Sequence, residues 1–402
     1  MRLNQWMTYI AAGSMFASAN VLAANAIHEQ VQVSQCLAAK ITTPYKVLAE
    51  NKDFKIIDIS LTDLDALSHL ADQNQCGRFV NVSHKIEGSQ IALKKQSAQR
   101  LLQQKTVKAK PLSDVAYEIK HQKEVNEELK NIVPDNIWHT LSQLTSFHDR
   151  SATKDTGVLA ANWLKDTFEQ MVTASGRTDT ATFFVKTGRY KQPSLVTVIG
   201  KDIKAPAVVI GAHMDTLDGD GRYLPMPGAG DDGSGSSSNM EMARVLLNSK
   251  IAFKRPIYII WYAAEERGLV GSQYVVDHFK SKSIPVKAAI QFDMTGYRVD
   301  PKDPTMWVFT DYTDRNLSKF VAQLIKTYVQ VPVDYSECGY GCSDHASWHE
   351  MGVPAAFPCE SNFEDHNPYI HSSADTMEKL SLEHMTNFSK LALAFAIEMA
   401  SE

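Results

Sequence analysis

The sequence predicts an α/β protein in which a mostly parallel central sheet carries helices on both faces, with a small α+β unit on its N-terminal side. Three apolar runs, at 207–210, 256–262 and 288–292, are each followed by a residue that can do chemistry. Amphipathic helical patterns separate these runs, and strands that alternate with helices are typical of a parallel sheet covered on both sides. With 402 residues, the chain is long enough for one large core and a second domain.

The first 26 residues predict export. Arg2 precedes an uncharged, mostly apolar run at 6–22, and small residues follow at Ala23, Ala24 and Ala26, which is the pattern of a cleaved signal peptide at 1–26. The alternative is a membrane anchor, but polar residues interrupt the run, and no later segment has the roughly 20 apolar residues that a span needs. The net charge of −5 gives no reason to expect nucleic acid or an anionic membrane as a partner. We expect a secreted or periplasmic monomer that is free of the membrane.

Residues 27–84 predict a small α+β unit, with strands at 54–59 and 78–82 and a helix at 61–70. Residues 85–125 are rich in lysine and glutamine and poor in aromatic residues, which is typical of a solvated connector that proteases reach. A signal peptide, a small unit, a cleavable connector and a large domain together indicate a zymogen with a pro-segment. The alternative is an accessory domain that stays attached.

The large domain, residues 126–402, follows the connector with further helices and strands. Its second helix has Trp163, Leu164, Phe168 and Met171 at helical spacing, which indicates a buried face rather than a cofactor site. In chain order, the predicted elements are helices at 137–144 and 158–171, strands at 182–185 and 194–199, the three central strands, and interleaved helices at 236–248, 269–280 and 314–329.

The five cysteines are compatible with disulfides, because an exported protein leaves the reducing cytosol. Cys338 and Cys342 are four residues apart and predict a local bridge. The alternative for this pair is zinc ligation, which usually needs a second close pair of cysteine or histidine residues. Cys36 and Cys76 are a plausible second bridge, and Cys359 is left over.

Acidic residues and histidine lie at the ends of the three central strands. His213 follows the first strand, Glu265 and Glu266 follow the second, and Asp293 follows the third. In open α/β sheets the site lies beyond the carboxyl ends of the strands, so these side chains should converge. A glycine-rich loop at 228–235 lies behind the first strand, but it lacks the Gly-Lys-Ser/Thr ending of a phosphate loop.

Metal ions would explain why so many acids gather in one apolar-walled crevice. Each residue alone is weak evidence, but several buried carboxylates without compensation are costly. Two imidazoles and three carboxylates carry three negative charges, which two Zn²⁺ would compensate. Nitrogen and oxygen ligands suit zinc, although Co²⁺ or Mn²⁺ could substitute, and one carboxylate often bridges a pair of metal ions. The predicted ligands are His213, Asp231, Asp293, Glu266 and His371.

Six motifs, in order along the chain, resemble those of the secreted bacterial leucyl aminopeptidases, which are di-zinc metallopeptidases. The resemblance runs from about residue 130 to the C-terminus and barely covers 27–120, although family members are often made with a removable pro-segment. It implies the zinc-dependent exopeptidase type of α/β fold, two Zn²⁺ per chain, and peptide substrates with a free N-terminus. The motifs are GAHMD at 211–215, GAGDDGSG at 228–235, YAAEERGL at 262–269, QFDMT at 291–295, CGYGCSDHASWH at 338–349 and NPYIH at 367–371.

The resemblance also implies how the ligands are shared between the two ions. Asp231 would bridge both of them. His213 and Asp293 would complete one site, and Glu266 and His371 would complete the other.

Three further residues are implied to act in catalysis. Glu265 would be the general base that takes a proton from the attacking water and passes it to the leaving amine. Asp215 would orient the ring of His213 without binding metal. Tyr340, inside the predicted 338–342 bridge, would donate a hydrogen bond to the developing oxyanion, and the bridge would keep it preorganised.

The family places the first side chain of the substrate in an apolar pocket. Cys359 stands where a bulky aromatic residue is common in the family, and His366 stands where tyrosine is common. Both changes would widen or polarise the pocket, so the preference for leucine is open, while a neutral or apolar first residue is expected. The residues that match the pocket are Met294, Phe309, Phe363 and Ile370.

We therefore expect an exported metallo-aminopeptidase that releases a neutral or apolar N-terminal residue, such as leucine, with a water activated by two zinc ions. One alternative is a single-zinc enzyme similar to glutaminyl cyclase, which would lack the second metal. Another is a non-catalytic binding module of the same fold, although such proteins lose ligands that this sequence retains. A deacetylase or carboxypeptidase would be separated by assays on N-blocked and free-amine peptides.

Overall fold

The computed structural model describes residues 27–105, 116–218 and 224–402. The predicted signal peptide at 1–26 lies outside the described residues, as does the part of the predicted connector at 106–115. The described residues form one small sheet and one large sheet. None of the helices within these ranges is long and apolar enough to cross a membrane.

The small unit is a four-stranded antiparallel sheet with helices packed on it. Its elements are β1 (His28–Ser34), α1 (Gln35–Ala38), β2 (Lys46–Glu50), β3 (Phe54–Ser60), a 3-10 turn (Leu61–Asp63), α2 (Leu64–Asn74), β4 (Val80–Asn81) and a second 3-10 turn (Ser83–Lys85). The strand order is β2-β3-β1-β4. Leu64, Leu67 and Ala71 form the apolar stripe of α2 that is buried in the unit's core, and the predicted disulfide between Cys36 and Cys76 is present.

A helix, α3 (Ile91–Lys105), occupies part of the predicted connector 85–125. Ala98 and Leu102, four residues apart, are buried in one cluster with Leu48 of β2. This segment is therefore not a solvated connector as far as Lys105. Composition concealed the helix, because lysine and glutamine are good helix formers and leave only a narrow apolar stripe visible in the sequence.

The large domain is built on an eight-stranded sheet with the order β11-β10-β12-β9-β7-β8-β6-β5. Its strands are β5 (Thr180–Val185), β6 (Ser194–Ile199), β7 (Ala207–His213), β8 (Ile257–Tyr262), β9 (Val286–Gln291), β10 (Met306–Phe309), β11 (Val333–Ser336) and β12 (Ala355–Cys359). The central strands β8, β7, β9 and β12 are parallel, whereas β5, β6 and β10 pair antiparallel with neighbours. The predicted α/β class with a central sheet is confirmed.

Helices cover both faces of this sheet. They are α4 (Gln122–Glu128), α5 (Pro134–Thr145), α6 (Asp155–Ser175), α7 (Ser234–Asn248), α8 (Val270–Ser281), α9 (Arg315–Leu324), α10 (His345–Glu350) and α11 (Leu382–Ala400), with 3-10 turns at Leu129–Asn131 and Met377–Lys379 and π-type turns at Ala229–Gly233 and Ile325–Val329. Side chains of β7 alternate between the faces, as a strand requires. Val208 and Ile210 pack in the core that contains α6, α7 and α11, and Val209 packs in the core that contains α8.

The small unit docks at the edge of the large domain where β8 ends. The backbone N–H of Asn81 donates to the carbonyl of Gly268 at 2.9 Å. Asp65 of α2 pairs with the buried Arg267 at 2.8 Å. The small unit is thereby held beside the carboxyl ends of the central strands, where the sequence predicts the site.

Candidate metal centre

The carboxyl ends of β7, β8 and β9 bring four functional side chains to one edge of the sheet. His213 is the last residue of β7, Glu265 and Glu266 lie just beyond β8, and Asp293 lies just beyond β9. All four are buried, with at most 6% of their surface exposed. Because these strands are parallel and in register, their ends meet as the sequence predicts.

Asp231 lies between the two histidines. Its Oδ1 is 2.8 Å from Nε2 of His213, and its Oδ2 is 2.9 Å from Nε2 of His371. The residue comes from the glycine-rich loop between β7 and α7, while His371 comes from the loop before α11. One carboxylate that reaches two imidazoles through different oxygens has the geometry of a bridging ligand.

One further carboxylate stands beside each histidine. Asp293 Oδ1 is 3.5 Å from Nε2 of His213, and Glu266 Oε2 is 3.5 Å from Nε2 of His371. Ligand atoms of Asp231, Glu266 and His371 all lie within 4.8 Å of one another. The structure thus brings together all five predicted ligand residues as two adjoining clusters.

Asp232 lies close enough to His213 and Asp293 to be grouped with them, and the sequence reasoning did not assign it a role. Its carboxylate already accepts three backbone N–H groups, those of His213 at 3.1 Å, Gly235 at 2.8 Å and Met294 at 3.2 Å. Such a carboxylate fixes the backbone around the site, because its lone pairs are used by amides. Asp231 remains the better candidate for a shared ligand.

The donor set fits zinc. One oxygen in each cluster, Oδ1 of Asp293 and Oε1 of Glu266, is buried and accepts no hydrogen bond from the described residues. A buried carboxylate oxygen without a donor is costly, and a cation would supply the missing interaction. Imidazole nitrogen and carboxylate oxygen are both common zinc ligands.

Asp215 links the two strand ends. Its backbone carbonyl is 3.2 Å from Nδ1 of His213, which holds the ring in place. Its carboxylate accepts the backbone N–H of Glu265 at 3.0 Å and of Glu266 at 3.2 Å. Asp215 thus contacts both His213 and the segment that carries the two glutamates.

Glu265 is buried next to the metal cluster without belonging to it. Burial raises the pKa of its carboxyl well above the usual value, against the opposing charges of His213 and Arg78. A carboxyl group with a raised pKa suits a residue that must take up a proton and release it again near neutral pH.

Tyr340 faces the cluster from a loop closed by the predicted disulfide between Cys338 and Cys342, which is present. Burial raises the pKa of its phenol, so the hydroxyl stays protonated and can donate. Its ring lies 6.0 Å from that of Phe363. The short bridge limits the motion of the loop between its ends.

The predicted pocket residues line a cavity of about 500 Å³ that opens from the clusters. Cys359 is buried in its wall as a free thiol, and His366 Nδ1 is held by the carbonyl of Phe363 at 2.9 Å. The wall combines apolar side chains with the charged residues of the clusters. Met294, Phe309, Phe363 and Ile370 all lie on it.

Two buried residues that the sequence reasoning missed hold the loop that carries Asp231. Asp375 accepts the backbone N–H of Gly230 at 2.9 Å and of Asp231 at 3.1 Å. Arg150 is fully buried and donates to the carbonyl of Gly228 at 2.8 Å. Neither residue lies in a recognisable motif, so nothing in the local sequence indicates them.

Another residue without an assigned role in the sequence analysis, Arg78, comes from the small unit and enters the second cluster. Its Nη1 is 2.6 Å from Oε2 of Glu266 and 3.4 Å from Nε2 of His371, and 3.8 Å from Oε2 of Glu265. Asp72, also of the small unit, is 2.6 Å from Nδ1 of His371. A cationic residue at the start of the predicted strand 78–82 is the only signal in the sequence, and it does not reveal this contact.

The chain is similar to a peptidase family model and to several known aminopeptidases. A family model described as "Peptidase family M28" matches residues 195–396. Leucine aminopeptidase 1 of Coccidioides posadasii is 38% identical over 297 residues, which are 70% of this chain and 75% of that protein. The crystal structure of the LapA aminopeptidase of Legionella pneumophila is 69% identical, with a TM-score of 0.89, and covers 94% of this chain and 99% of its own. The structure of LapB from Legionella pneumophila is 41% identical, with a TM-score of 0.86 over 94% of this chain and 100% of its own.

Proposed function

The chain belongs to peptidase family M28 and is a metallo-aminopeptidase, and from this premise we propose that it removes a neutral or apolar N-terminal residue, such as leucine, with two zinc ions. The observation that carries the proposal is the position of Asp231 between two histidines, each with its own second carboxylate. Two separate but adjoining ligand groups favour two ions over the single ion of a cyclase-like enzyme.

On this proposal, the ligands are shared between the two ions in the way that the motifs imply. His213 and Asp293 would hold one ion, Glu266 and His371 would hold the other, and Asp231 would bind both. When bound, the ions would lower the pKa of water and polarise the scissile carbonyl. The apolar pocket lined by Phe309 and its neighbours would hold the first side chain.

The chain's own residues would move the proton and stabilise the charge. Glu265, with its raised pKa, would take a proton from the attacking water and give it to the leaving amine. Tyr340 would donate a hydrogen bond to the oxygen that becomes negative. The carboxylate of Asp215 would hold Glu265 in place by accepting the backbone N–H of Glu265. The bridge at 338–342 would hold Tyr340 in place.

We also propose that the small unit is a pro-segment, that residues 1–26 are a signal peptide, and that the protein is exported. The small unit contributes Arg78 and Asp72 to the wall of the cavity. Addition of a Cβ at Gly77 would bring it to 2.7 Å from the ring of Tyr340, so the unit packs closely on the catalytic loop. On this proposal, the docked unit restricts the access of substrate to the clusters. Cleavage in the lysine-bearing stretch 106–115 would release the unit.

An activity assay tests the proposal. The full chain and the protease-processed chain are assayed on aminoacyl-nitroanilides before and after treatment with a chelator. Activity should rise on processing, disappear on metal removal and return with zinc. Activity that survives chelation, or that requires an N-blocked substrate, would contradict the proposal.

A substitution tests the assignment of the base. Glu265→Gln should lower turnover by roughly 10²–10⁴-fold, because the amide cannot take a proton, while zinc content stays near two per chain. Glu383→Gln, which removes an exposed carboxylate on the surface, is the matched control and should change neither quantity. Loss of one ion in Glu265→Gln would mean that Glu265 is a ligand and that the roles of the two glutamates are exchanged.

A further inference from the structure

The guanidinium of Arg78 contacts two ligand residues of the second cluster, which consists of Asp231, Glu266 and His371. Its Nη1 contacts Glu266 Oε2 at 2.6 Å and His371 Nε2 at 3.4 Å, which are the atoms that would bind a metal ion there. Its Nη2 donates to the backbone carbonyl of Glu266 at 3.1 Å. The guanidinium therefore uses the lone pair of Glu266 Oε2 and stands against the nitrogen of His371 that the second zinc ion needs.

One face of helix α2 holds this arrangement in place. Ser68 and Asp72 are four residues apart and lie on the same side of the helix. Ser68 Oγ accepts from Nη2 of Arg78 at 3.0 Å, and Asp72 pairs with Nδ1 of His371 at 2.6 Å. The arginine and the histidine are thus both held by residues of the small unit.

The first cluster has no equivalent contact within the part of the chain that the structure describes. Among the described residues, the ion pairs of Arg78 are those with Glu265 and Glu266, and none joins it to His213 or Asp293. In the second cluster, Glu266 pairs with a cation of the chain itself through Oε2, while its Oε1, like Oδ1 of Asp293 in the first cluster, has no hydrogen-bond donor among the described residues. The two clusters therefore differ in their need for an external ion.

We propose that Arg78 takes the place of one of the two metal ions while the small unit is docked, so that the precursor binds a single zinc ion at His213 and Asp293. The second ion enters at Glu266 and His371 only when the guanidinium leaves. Two cations cannot share one set of ligand atoms, because each would have to displace the other from the same lone pairs. This inference rests on the proposed two-zinc function.

Metal content of the full, uncleaved chain tests the inference. Wild type, Arg78→Ala and Arg78→Gln are equilibrated with buffered zinc, desalted, and measured for zinc per chain by mass spectrometry. Wild type should hold one ion, and both variants should hold two, since alanine removes the side chain and glutamine keeps its length without its charge. Circular dichroism confirms that the variants are folded.

A matched control separates the guanidinium from docking in general. Asp65→Asn removes the ion pair with Arg267, which joins the same two surfaces without using a ligand residue, and it should stay at one ion. Two ions in wild type, two ions in Asp65→Asn, or one ion in both Arg78 variants would each overturn the inference. The processed chain is measured alongside: if it holds two ions, the proposed function stands even when the inference fails.

Discussion

Replacement of Arg150 with methionine should loosen the loop that carries Asp231 and lower the free energy of unfolding of the large domain. Arg150 is fully buried, and it lies against the loop, the end of β7 and helix α5. Methionine has a similar length and is apolar, so it fills the space without donating hydrogen bonds. The perturbation therefore removes the polar contacts and keeps most of the packing.

The magnitude follows from the contacts that are lost. The guanidinium donates to four backbone carbonyls: Met214 at 2.8 Å, Leu144 at 3.2 Å, Gly228 at 2.8 Å, and Pro227. Each hydrogen bond from a charged donor contributes about 1.5–3 kcal/mol, and burial of the cation offsets part of that sum. Removal of one partner from a buried charged network typically costs about 3–5 kcal/mol, and we expect a loss of that size.

Urea unfolding of the full chain measures this loss, with zinc content measured in parallel. Arg150→Lys should be intermediate, since the ammonium keeps the charge but cannot reach all the carbonyls. Arg177→Met is the control, because it removes an arginine that pairs with the partly exposed Asp179, and it should cost at most about 1 kcal/mol. If Arg150→Met unfolds at the urea concentration of wild type, the loop does not depend on this residue and the reasoning is wrong.

Three further predictions concern the loop, the bridge and the docked unit. Asp375→Asn should weaken zinc binding by roughly 10–100-fold, because the amide can accept only one of the two backbone N–H groups that hold the loop. Competition with a zinc-binding dye measures the affinity, and an unchanged affinity would contradict the prediction. Replacement of Cys338 and Cys342 by alanine should lower the turnover of the processed chain by up to roughly 10²-fold, because Tyr340 is no longer preorganised. Zinc content should stay constant. Turnover equal to that of wild type would rule out the role of the bridge. His84 lies at the interface of the small unit, and burial lowers its pKa to about 4 from 6.5. Its neutral form is therefore favoured in the folded protein, and the stability that it contributes is complete above pH 6.5 and is lost as the pH falls toward 4. From pH 7 to 4.5 this loss is about 2–3 kcal/mol. His84→Gln should lose less stability than wild type over the same pH range. If urea unfolding shows the same loss of stability in both proteins, the assignment is wrong.

The strands that build the centre can be predicted from the sequence because their signal is local. β7, β8 and β9 are short apolar runs, and each is followed by histidine or a carboxylate. Parallel strands of one sheet end at the same edge, so the convergence of His213 with Asp293 follows from topology without knowledge of any distance. The antiparallel pairing of β10 with β12 leaves no comparable trace, because their side chains are equally apolar in either direction.

The contacts made by Arg78 and Asp375 cannot be predicted in this way because they join distant parts of the chain. Arg78 meets Glu266 across 188 positions, and Asp375 meets Gly230 across 145. Each contact depends on how a separate unit or loop docks, and the hydrophobic periodicity of the sequence carries no information about docking. Composition likewise conceals the burial in α3, where a helix with at least three buried residues has the lysine and glutamine content of a solvated segment.

On the proposal for Arg78, release of the small unit and uptake of the second zinc ion are competing equilibria at one set of ligand atoms. Anything that binds only the undocked state shifts the balance toward it, by about 2.7 kcal/mol when its free concentration is a hundred times its dissociation constant. Zinc would therefore weaken docking by the same factor by which docking weakens zinc binding, because such coupling is reciprocal. Two of the ion pairs that hold the unit, Arg78 with Glu266 and Asp72 with His371, are made with the ligand residues themselves. A precursor built in this way couples its own opening to the metal that its catalysis requires.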